Sequence, residues 1–279
     1  MTWEWDETLF AGVAEHYERG RLPYAPGLVP LLARELPADG RGRLLDVGCG
    51  PGTVTVPLAA LFRETVGIDP DPGMIRAAER RASAAGAARR IRWARLRAEE
   101  LPAGLGQFDA VVFAQSFHWT DRARVARTVR AMLRPGGALV HLADLKGERR
   151  TAGESPYPAV PHESVAALVK EYLGPVRRAG RGLLPQGTPA GEARILAEAG
   201  FRGPERHVVP GGEVLERSSD DVVAWTFSHS FAAPHLFGSR LDSFETDLRG
   251  LLAAASPAGR FAERAPSTEV FIWRNSGPV

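Results

Sequence analysis

The stretch from Leu44 to Ala59, LLDVGCGPGTVTVPLA, constrains the fold more than any other part of the sequence. Its first four residues, LLDV, are typical of a buried strand. The three glycines that follow, Gly48, Gly50 and Gly52, interrupt any continued strand or helix. Thr53–Leu61 then predicts a helix. The segment therefore reads as a strand, a tight glycine turn and a helix.

Strand and helix patterns alternate around this turn. Short apolar runs predict strands, and amphipathic runs predict helices. The predicted strands are Arg43–Val47, Thr65–Ile68, Ile91–Leu96, Ala110–Ala114 and Ala138–Ala143, and the predicted helices between them are Thr53–Leu61, Pro72–Ala85 and Ala123–Leu133. This alternation favours an α/β fold with a doubly wound, mainly parallel, Rossmann-like sheet covered on both faces.

The regular alternation ends after Asp144. Residues 147–161 are rich in glycine, proline and charge, which is typical of a loop. Beyond them the sequence predicts helices at His162–Leu173, Ala190–Ala199, Asp220–Phe227 and Leu241–Ala255, and strands at Val208–Val209 and Glu269–Trp273. The last of these strands is expected to return to the sheet.

Composition and charge narrow the class of protein. The formal net charge is +2, and the arginines are interleaved with acids, which argues against a nucleic-acid partner. Cys49 is the only cysteine, so no disulfide within the chain is possible, and a reducing cytoplasm fits. The acidic N-terminus does not resemble a signal peptide, and no apolar run reaches membrane-spanning length. We therefore predict a cytoplasmic protein with no membrane partner, and the spacing of possible ligands predicts no metal site.

The glycine turn and two nearby acids predict a type of ligand. In open α/β sheets, ligands bind at the carboxyl ends of the strands, where missing side chains let them approach the backbone. Asp46 precedes the first glycine by two residues, which disfavours a phosphate and suits a cationic amine. Asp69 ends the next strand, where a carboxylate accepts hydrogen bonds from both hydroxyls of a ribose. A ribose, a cationic end and no phosphate together describe S-adenosylmethionine, whereas NAD is disfavoured.

Five segments, in this order, resemble the class I S-adenosylmethionine-dependent methyltransferases, and especially the small-molecule enzymes of the trans-aconitate and quinone type. They are LLDVGCGPGTVTVPLA, VGIDPDPGMIRAAE, AEELP, FDAVVFAQSFHWTD and MLRPGGALV. The resemblance implies a seven-stranded sheet with strand order 3-2-1-4-5-7-6 and an antiparallel last strand. The segment STEVFIWR suits that last strand.

The resemblance also implies a division of the chain, which we predict to be one methyltransferase domain over residues 1–279. Residues 1–40, with predicted helices Glu7–Arg19 and Gly27–Leu36, form an N-terminal helical lid. Residues 41–145 form the cofactor-binding core, and residues 146–200 form an insertion that caps the substrate site. Residues 201–279 complete the sheet.

Roles for the site residues follow from the same resemblance. The glycines of the turn pack against the methionine part of the cofactor, and Asp46 orients the turn or the amino group. Asp69 holds the ribose, and Met74 packs on the adenine. The Ala98 amide and the Glu99 carboxylate address the edge of the adenine ring, although Glu100 is an alternative to Glu99. Gln115 lies near the donated methyl group. The remaining predicted cofactor-binding residues are Cys49, Pro70 and, from the lid segment HYERGRLPY, Tyr17 and Arg21.

Two readings of His118 stay open. It follows the fourth strand, near the donated methyl group, and an imidazole titrates near neutral pH, so it is a possible general base. It is also a possible structural residue that shapes the pocket beside Trp119, which we predict to be a packing wall. Among the other histidines, His141 is predicted to lie in the core. His229 and His235 are candidates to line a substrate pocket, but a solvated loop is favoured for each.

Two further groups of residues are given structural interpretations. Arg177, Arg178 and Arg181 form a basic cluster that we predict to be a solvated surface rather than a site for an acidic substrate. Trp225, Phe227 and Phe231, at near-helical spacing, are predicted to be core residues.

The sequence thus predicts an enzyme that transfers a methyl group from S-adenosylmethionine to an oxygen, nitrogen or carbon atom of a small-molecule acceptor, which includes secondary metabolites, and leaves S-adenosylhomocysteine. Two alternatives stay open: an enzyme of the same fold that binds the cofactor without methylating, and a methyltransferase acting on RNA or protein. Both a monomer and a homodimer are compatible with the sequence.

Overall fold

A seven-stranded sheet forms the centre of the protein. The structure, a computed structural model, describes residues 6–145, 155–176, 191–275 and 277, with the backbone alone at 178–179 and 182–183. The strands of the sheet are β1 (Arg43–Val47), β2 (Glu64–Asp69), β3 (Ile91–Arg95), β4 (Phe108–Ala114), β5 (Leu133–Asp144), β6 (Arg202–Val209) and β7 (Thr268–Arg274). Their spatial order is β3-β2-β1-β4-β5-β7-β6. Only β7 runs antiparallel to its neighbours β5 and β6, so the predicted order and direction are confirmed.

Helices cover both faces of this sheet. They are α1 (Ala14–Gly20), α2 (Leu28–Glu35), α3 (Thr55–Leu58), α4 (Pro72–Ala84), α5 (Arg122–Met132), α6 (His162–Leu173), α7 (Glu192–Glu198), α8 (Ser219–Phe227) and α9 (Leu241–Ala255). Leu44 and Leu45 are adjacent in β1, yet they lie in the cores on opposite faces of the sheet. Both faces of β1 are therefore buried, which explains why its sequence is apolar without alternation.

Several elements differ from the sequence prediction. Strand β6 spans Arg202–Val209, where only Val208–Val209 was predicted, and α3 is shorter than the predicted helix Thr53–Leu61. The helix predicted over Glu7–Arg19 begins only at Ala14, because Gly12 adopts a φ of +74° and the residues before it form turns. Strand β5 begins at Leu133 rather than Ala138. Its pairing with β4 jumps from Phe108–Leu133 to Ala110–Ala138, so residues 134–137 bulge out of the ladder.

The C-terminal part contains a two-stranded antiparallel ribbon that the sequence analysis did not predict, formed by Val214–Ser218 and Arg260–Arg264. It carries a buried ion pair in which Arg217 Nη1 lies 3.0 Å from Glu263 Oε2, with both side chains almost inaccessible. Arg217 Nη2 also donates a hydrogen bond of 2.7 Å to the carbonyl oxygen of Gly20. The ribbon therefore fixes the C-terminal end of α1, which carries part of the predicted lid.

A third hydrophobic cluster joins α6, α8 and α9, with Phe227, Phe244 and Phe261 fully buried inside it. The prediction that residues 146–200 cap the substrate site stays a prediction, since residues 146–154 and 184–190 lie outside the described residues. The basic cluster around Arg178 also lies outside the side chains that the structure describes. In the described parts of the chain, no helix combines the length and apolarity needed to cross a bilayer.

Candidate active site

A cavity of about 470 Å³ lies at the carboxyl ends of β1, β2, β4 and β5. That volume is within the range of small-molecule sites. The sequence-predicted site residues that line it are Tyr17, Arg21, Gly48, Gly50, Asp69, Pro70, Met74, Ala98, Glu99, Gln115 and His118. Asp46, Cys49 and Gly52 belong to the same turn and its strand but are not among the lining residues. The fold thus brings together side chains from distant parts of the chain at the edge where the glycine turn predicted a ligand.

The three glycines of the turn all have positive φ angles, +68° at Gly48, +52° at Gly50 and +75° at Gly52. A Cβ atom at Gly48 would lie 2.5 Å from the Cβ of Ser116, so this glycine permits close packing of protein on protein. A Cβ atom at Gly50 would meet nothing within 4 Å, and Gly50 lines the cavity. The missing side chain at position 50 therefore leaves room for a ligand against the backbone.

Asp69 links the end of β2 to this turn. Its Oδ2 accepts a 2.9 Å hydrogen bond from the Gly50 amide, and its Oδ1 accepts one of the same length from the Asp71 amide. Burial raises the pKa of Asp69 to about 6, while the two amide donors oppose that rise. Each carboxylate oxygen has a second lone pair, so Asp69 is able to accept further hydrogen bonds from a ligand in the cavity.

Asp46 lies beneath the turn and is 1% exposed. Its Oδ2 accepts a 2.6 Å hydrogen bond from the Thr55 hydroxyl, but its Oδ1 has no hydrogen-bond partner among the residues that the structure describes. Burial raises the pKa of Asp46 to about 7. The carboxyl connects β1 to α3 and so supports the turn from below.

One end of the cavity combines apolar side chains with a carboxylate. Met74 is 3% exposed and, like Ala98, lines the cavity. Glu99 accepts a 2.7 Å hydrogen bond from the Asp121 amide at its Oε1, and burial raises its pKa. Glu100 is exposed and turns back to accept a hydrogen bond from the Arg97 amide. Of the two acids, Glu99 is therefore the one that faces the cavity.

The lid residues lie close to one another. The guanidinium of Arg21 lies 5.0 Å from the centre of the Tyr17 ring, and its Nη2 donates a 2.9 Å hydrogen bond to the Ser228 carbonyl. The Nε of Arg21 is buried, and no described residue accepts a hydrogen bond from it. A carboxylate in the cavity would satisfy this donor. Leu22, the residue after Arg21, also lines the cavity.

Gln115 adopts a φ of +56°, which is unfavourable for a residue other than glycine. The backbone N–H of Gln115 donates to the Leu142 carbonyl oxygen at 3.1 Å, and the side-chain Nε2 donates to Asp144 Oδ1 at 2.9 Å. The first bond fixes the backbone of this residue, and the second holds its side chain at the cavity wall. Strained backbone of this kind is common at binding sites.

Other lining residues were missed or misassigned by the sequence analysis. For His229 the favoured solvated loop is wrong, and the alternative position holds: the residue is half-buried and lines the cavity. Trp225 and Phe231 were predicted as core residues, but both are half-buried in the cavity wall, whereas Phe227 is in the core as predicted. The spacing of Trp225 and His229, four residues apart at the end of a helix, was the available signal.

The remaining histidines differ in their surroundings. His118 lines the cavity, with its ring centre 4.7 Å from that of Trp119, which is also in the wall. His141 is half-buried, and burial lowers its pKa. His235 is exposed, as predicted.

One group of possible metal ligands occurs among the described residues, away from the cavity. Ligand atoms of Glu35, Glu205 and His207 lie within 4.8 Å of one another. Glu35 is already paired with Arg34 at 3.0 Å, and Glu205 with Arg274 at 3.3 Å. Since each of these carboxylates is paired with a guanidinium group, we interpret the cluster as a network of ion pairs.

Comparisons with known proteins agree with this geometry. Residues 44–137 match the family described as a methyltransferase domain. An uncharacterised methyltransferase of Mycobacterium tuberculosis is 37% identical over 143 residues, which cover 50% of this chain and 54% of the relative. A ubiquinone biosynthesis O-methyltransferase of Azorhizobium caulinodans is 35% identical over 99 residues, 35% of this chain and 38% of the relative. The chain thus spans about half the length of the first of these relatives, and less of the second.

A solved structure extends the likeness to the whole fold. It is an S-adenosylmethionine-dependent methyltransferase of Geobacter sulfurreducens in complex with S-adenosylhomocysteine. It is 15% identical, covers 96% of this chain and 98% of its own, and has a TM-score of 0.50. The strand order and the cavity at the switch point define a Rossmann-like ligand-binding protein. Together with the matched domain, they show that residues 44–137 carry a methyltransferase domain on this fold.

Proposed function

We propose that the protein transfers the methyl group of S-adenosylmethionine to an oxygen, nitrogen or carbon nucleophile of a small-molecule acceptor. The observation that carries this proposal is the contact between Asp69 and Gly50 at the carboxyl end of β2. A carboxylate in the cavity wall holds a turn whose central glycine leaves open space for a ligand. This arrangement suits a ribose beside a cationic chain.

The chain offers a partner for each part of the cofactor. Asp69 would accept hydrogen bonds from the ribose hydroxyls, and Met74 and Glu99 would contact the face and the edge of the adenine. Arg21 has a buried Nε donor without a partner in the described chain, which suits the cofactor carboxylate. The orphaned donor and the open space at Gly50 are the structural reasons for the fit.

When bound, the cofactor supplies an already activated methyl group, so the work of the protein is to align the acceptor and exclude water. Alignment alone is worth roughly 7–11 kcal/mol. Gln115 lies in the wall where β4 ends, and His118 follows it. His118 is placed either to accept a proton from the acceptor or to shape the pocket, and both roles agree with its position.

The size of the cavity favours a small acceptor over RNA or protein. Its volume of about 470 Å³ is within the range of small-molecule sites, and several aromatic side chains line its wall. The low net charge of +2 argues against a nucleic-acid partner. A cytoplasmic location, inferred from the single cysteine, stays a prediction.

Calorimetric titration with S-adenosylhomocysteine tests the cofactor site. We expect the wild-type protein to bind it, and Asp69→Ala to bind it at least tenfold more weakly. Each lost hydrogen bond to a charged group costs about 1.5–3 kcal/mol. Asp242→Ala, at an exposed acid on α9, is the control and should bind normally.

Two results would contradict the proposal: unchanged affinity in Asp69→Ala, or tight binding of NAD with none of S-adenosylhomocysteine. Mass spectrometry of reaction products with a panel of acceptors separates methyl transfer from a non-methylating reaction. A methylated acceptor with one equivalent of S-adenosylhomocysteine supports the proposal. A converted acceptor with S-adenosylmethionine left intact indicates the alternative.

A further inference from the structure

Strand β3 forms one outer edge of the seven-stranded sheet. It pairs with β2 in an unbroken register, and no other strand of the described chain lies along its outer side. In the described parts of the chain, no backbone hydrogen bond outside this ladder involves residues 91–95. The strand at the opposite edge, β6, contains Pro204, which has no N–H to offer, whereas β3 contains neither proline nor glycine. The outer side of β3 is therefore a regular row of backbone donors and acceptors that another strand can join.

Five arginines accompany this open side of the sheet. They belong to the segment RRIRWARLR, residues 89–97, which contains no acid. All five are exposed. The segment carries a formal charge of +5, so the rest of the chain carries −3, because the total is +2. We call residues 89–97 the arginine edge; here the arginines are not interleaved with acids.

Much of this charge is not neutralised within the molecule. The side chains of Arg89, Arg90 and Arg92 form no ion pair or hydrogen bond with the described residues. The acid near Arg92 is Glu64, whose pKa is lowered chiefly by its hydrogen bonds with Arg43 and less by the charge of Arg92. Arg43 already donates to both oxygens of Glu64, at 2.8 and 3.0 Å. The guanidinium groups at this edge are therefore available to an external anion.

The chemistry of the arginine edge favours an acidic polypeptide over a nucleic acid. Trp93 is its only aromatic residue, and the ring is packed inward: a Cβ atom at Gly52 would lie 2.9 Å from the Cη2 of Trp93. The edge thus presents no aromatic face on which bases would stack. An open strand pairs with the backbone of another polypeptide, and guanidinium groups bind carboxylates through two parallel hydrogen bonds.

A second copy of the chain is a poor partner for the same edge. Pairing of β3 with β3 would bring arginines together, and like charges across a pair of strands are destabilising. Arg92 and Arg95 are three residues apart and so lie on opposite faces of the strand, which places this repulsion on both faces. A strand with acids on both faces would instead place carboxylates opposite these arginines.

We propose that the arginine edge binds an extended acidic segment of a partner protein, which joins the sheet as an additional strand beside β3. The backbone of that segment pairs with the open side of β3, and its carboxylates bind Arg89, Arg90 and Arg92. Arg97, at the end of the arginine edge, lines the cavity, so the partner is held next to the candidate active site. The inference goes beyond the proposed methyl transfer and does not depend on it.

Two fluorescently labelled peptides, measured by anisotropy at low salt, separate strand pairing from charge. Acetyl-(Glu-Glu-Thr)3-amide carries acids on both faces when extended. Acetyl-(Glu-Glu-Pro)3-amide has the same length and charge, but its prolines remove backbone donors on both edges of a strand. We expect the threonine peptide to bind at least about tenfold more tightly, because it alone is able to form the full set of backbone hydrogen bonds. Its binding should also protect the amides of residues 91–95 from hydrogen exchange.

Variants test the arginines. One triple variant removes the three arginines of the edge that have no ion pair in the described chain: Arg89→Ala, Arg90→Ala and Arg92→Ala. It should bind the threonine peptide about three- to 150-fold more weakly, because each cross-strand pair of opposite charges contributes roughly 1.4- to fivefold. The control removes three other exposed arginines that likewise have no ion pair there: Arg41→Ala, Arg127→Ala and Arg202→Ala. It should lose less than about twofold.

Several results would overturn the inference. Equal affinities for the two peptides, or equal losses in the two triple variants, would mean that charge alone explains binding. Absence of binding, absence of protection at β3, or tighter binding of polyuridylate than of the threonine peptide would also contradict it, as would a dimer that the peptide dissociates. Since these measurements need no cofactor, their failure leaves the proposed methyl transfer intact, and a failure to bind S-adenosylhomocysteine leaves this inference intact.

Discussion

Replacing Asp46 by asparagine should change how the stability of the protein depends on pH. Asp46 is almost completely buried, and burial raises its pKa from 3.8 to about 7. The folded protein therefore binds one proton more than the unfolded chain between those two values. Its free energy of unfolding falls as the pH rises through this window and becomes level above about pH 7. Asparagine has no proton to lose there, so Asp46→Asn lacks this contribution.

The size of the effect follows from the shift of the pKa. A difference of about three pKa units at about 1.36 kcal/mol each gives about 4 kcal/mol. Relative to Asp46→Asn, the wild-type protein should therefore lose about 4 kcal/mol of stability between about pH 4 and about pH 8. The Thr55 hydroxyl, which donates to Asp46, retains an oxygen acceptor in the variant.

Urea unfolding of both proteins at a series of pH values measures this difference. Asp69 titrates in both, so its contribution largely cancels. Asp69→Asn is a second comparison, with a smaller expected pH effect because the pKa of Asp69 is raised only to about 6. A constant difference in stability between wild type and Asp46→Asn over the whole range would refute the reasoning, because it would mean that Asp46 titrates normally in the folded protein.

Two further predictions concern the turn and the ribbon. Gly50→Ala and Gly86→Ala both place a side chain at positive φ in open space, and each should lose about 1–2 kcal/mol of stability. Only Gly50→Ala should weaken the binding of S-adenosylhomocysteine in calorimetry. If the added methyl group costs about 1–3 kcal/mol, the affinity falls by roughly five- to 150-fold. Equal affinities of the two variants would contradict a ligand bound against this turn. Arg217→Met leaves the buried Glu263 carboxylate without its guanidinium and should lower the free energy of unfolding by about 3–5 kcal/mol in urea. The exposed pair of Arg194 is the control, and Arg194→Met should cost less than about 1 kcal/mol; similar losses in the two variants would mean that the buried pair is solvated.

Much of the fold was predictable because the sheet has strong local signals. Strands β1, β2 and β4 are short apolar runs, and the helices between them are amphipathic. The order of the strands came from the family resemblance, since pattern alone does not give it. The early start of β5 was not predictable, because its bulge contains Pro135 and two glycines that read as a loop. The ribbon was missed because its strands are short and contain several charged residues.

The two sides of the candidate site differed in how far the sequence predicted them. One side of the site comes from a single part of the chain, between Gly50 and Glu99, and includes Asp69. The spacing of the motifs in this part of the chain was enough to predict these three residues. His229 and Trp225 reach the cavity only because α8 packs against α1 and the buried pair of the ribbon supports it. The contact between Arg217 and Gly20 joins residues 197 positions apart, and no local pattern encodes it.

The separation of these two sides along the chain has an evolutionary consequence. The matched family covers residues 44–137, whereas Trp225, His229 and Phe231 come from a later stretch. Substitutions in that later stretch would change this wall of the cavity without changing the glycine turn or Asp69. Relatives that share residues 44–137 would then differ in the part of the cavity wall that the later stretch supplies.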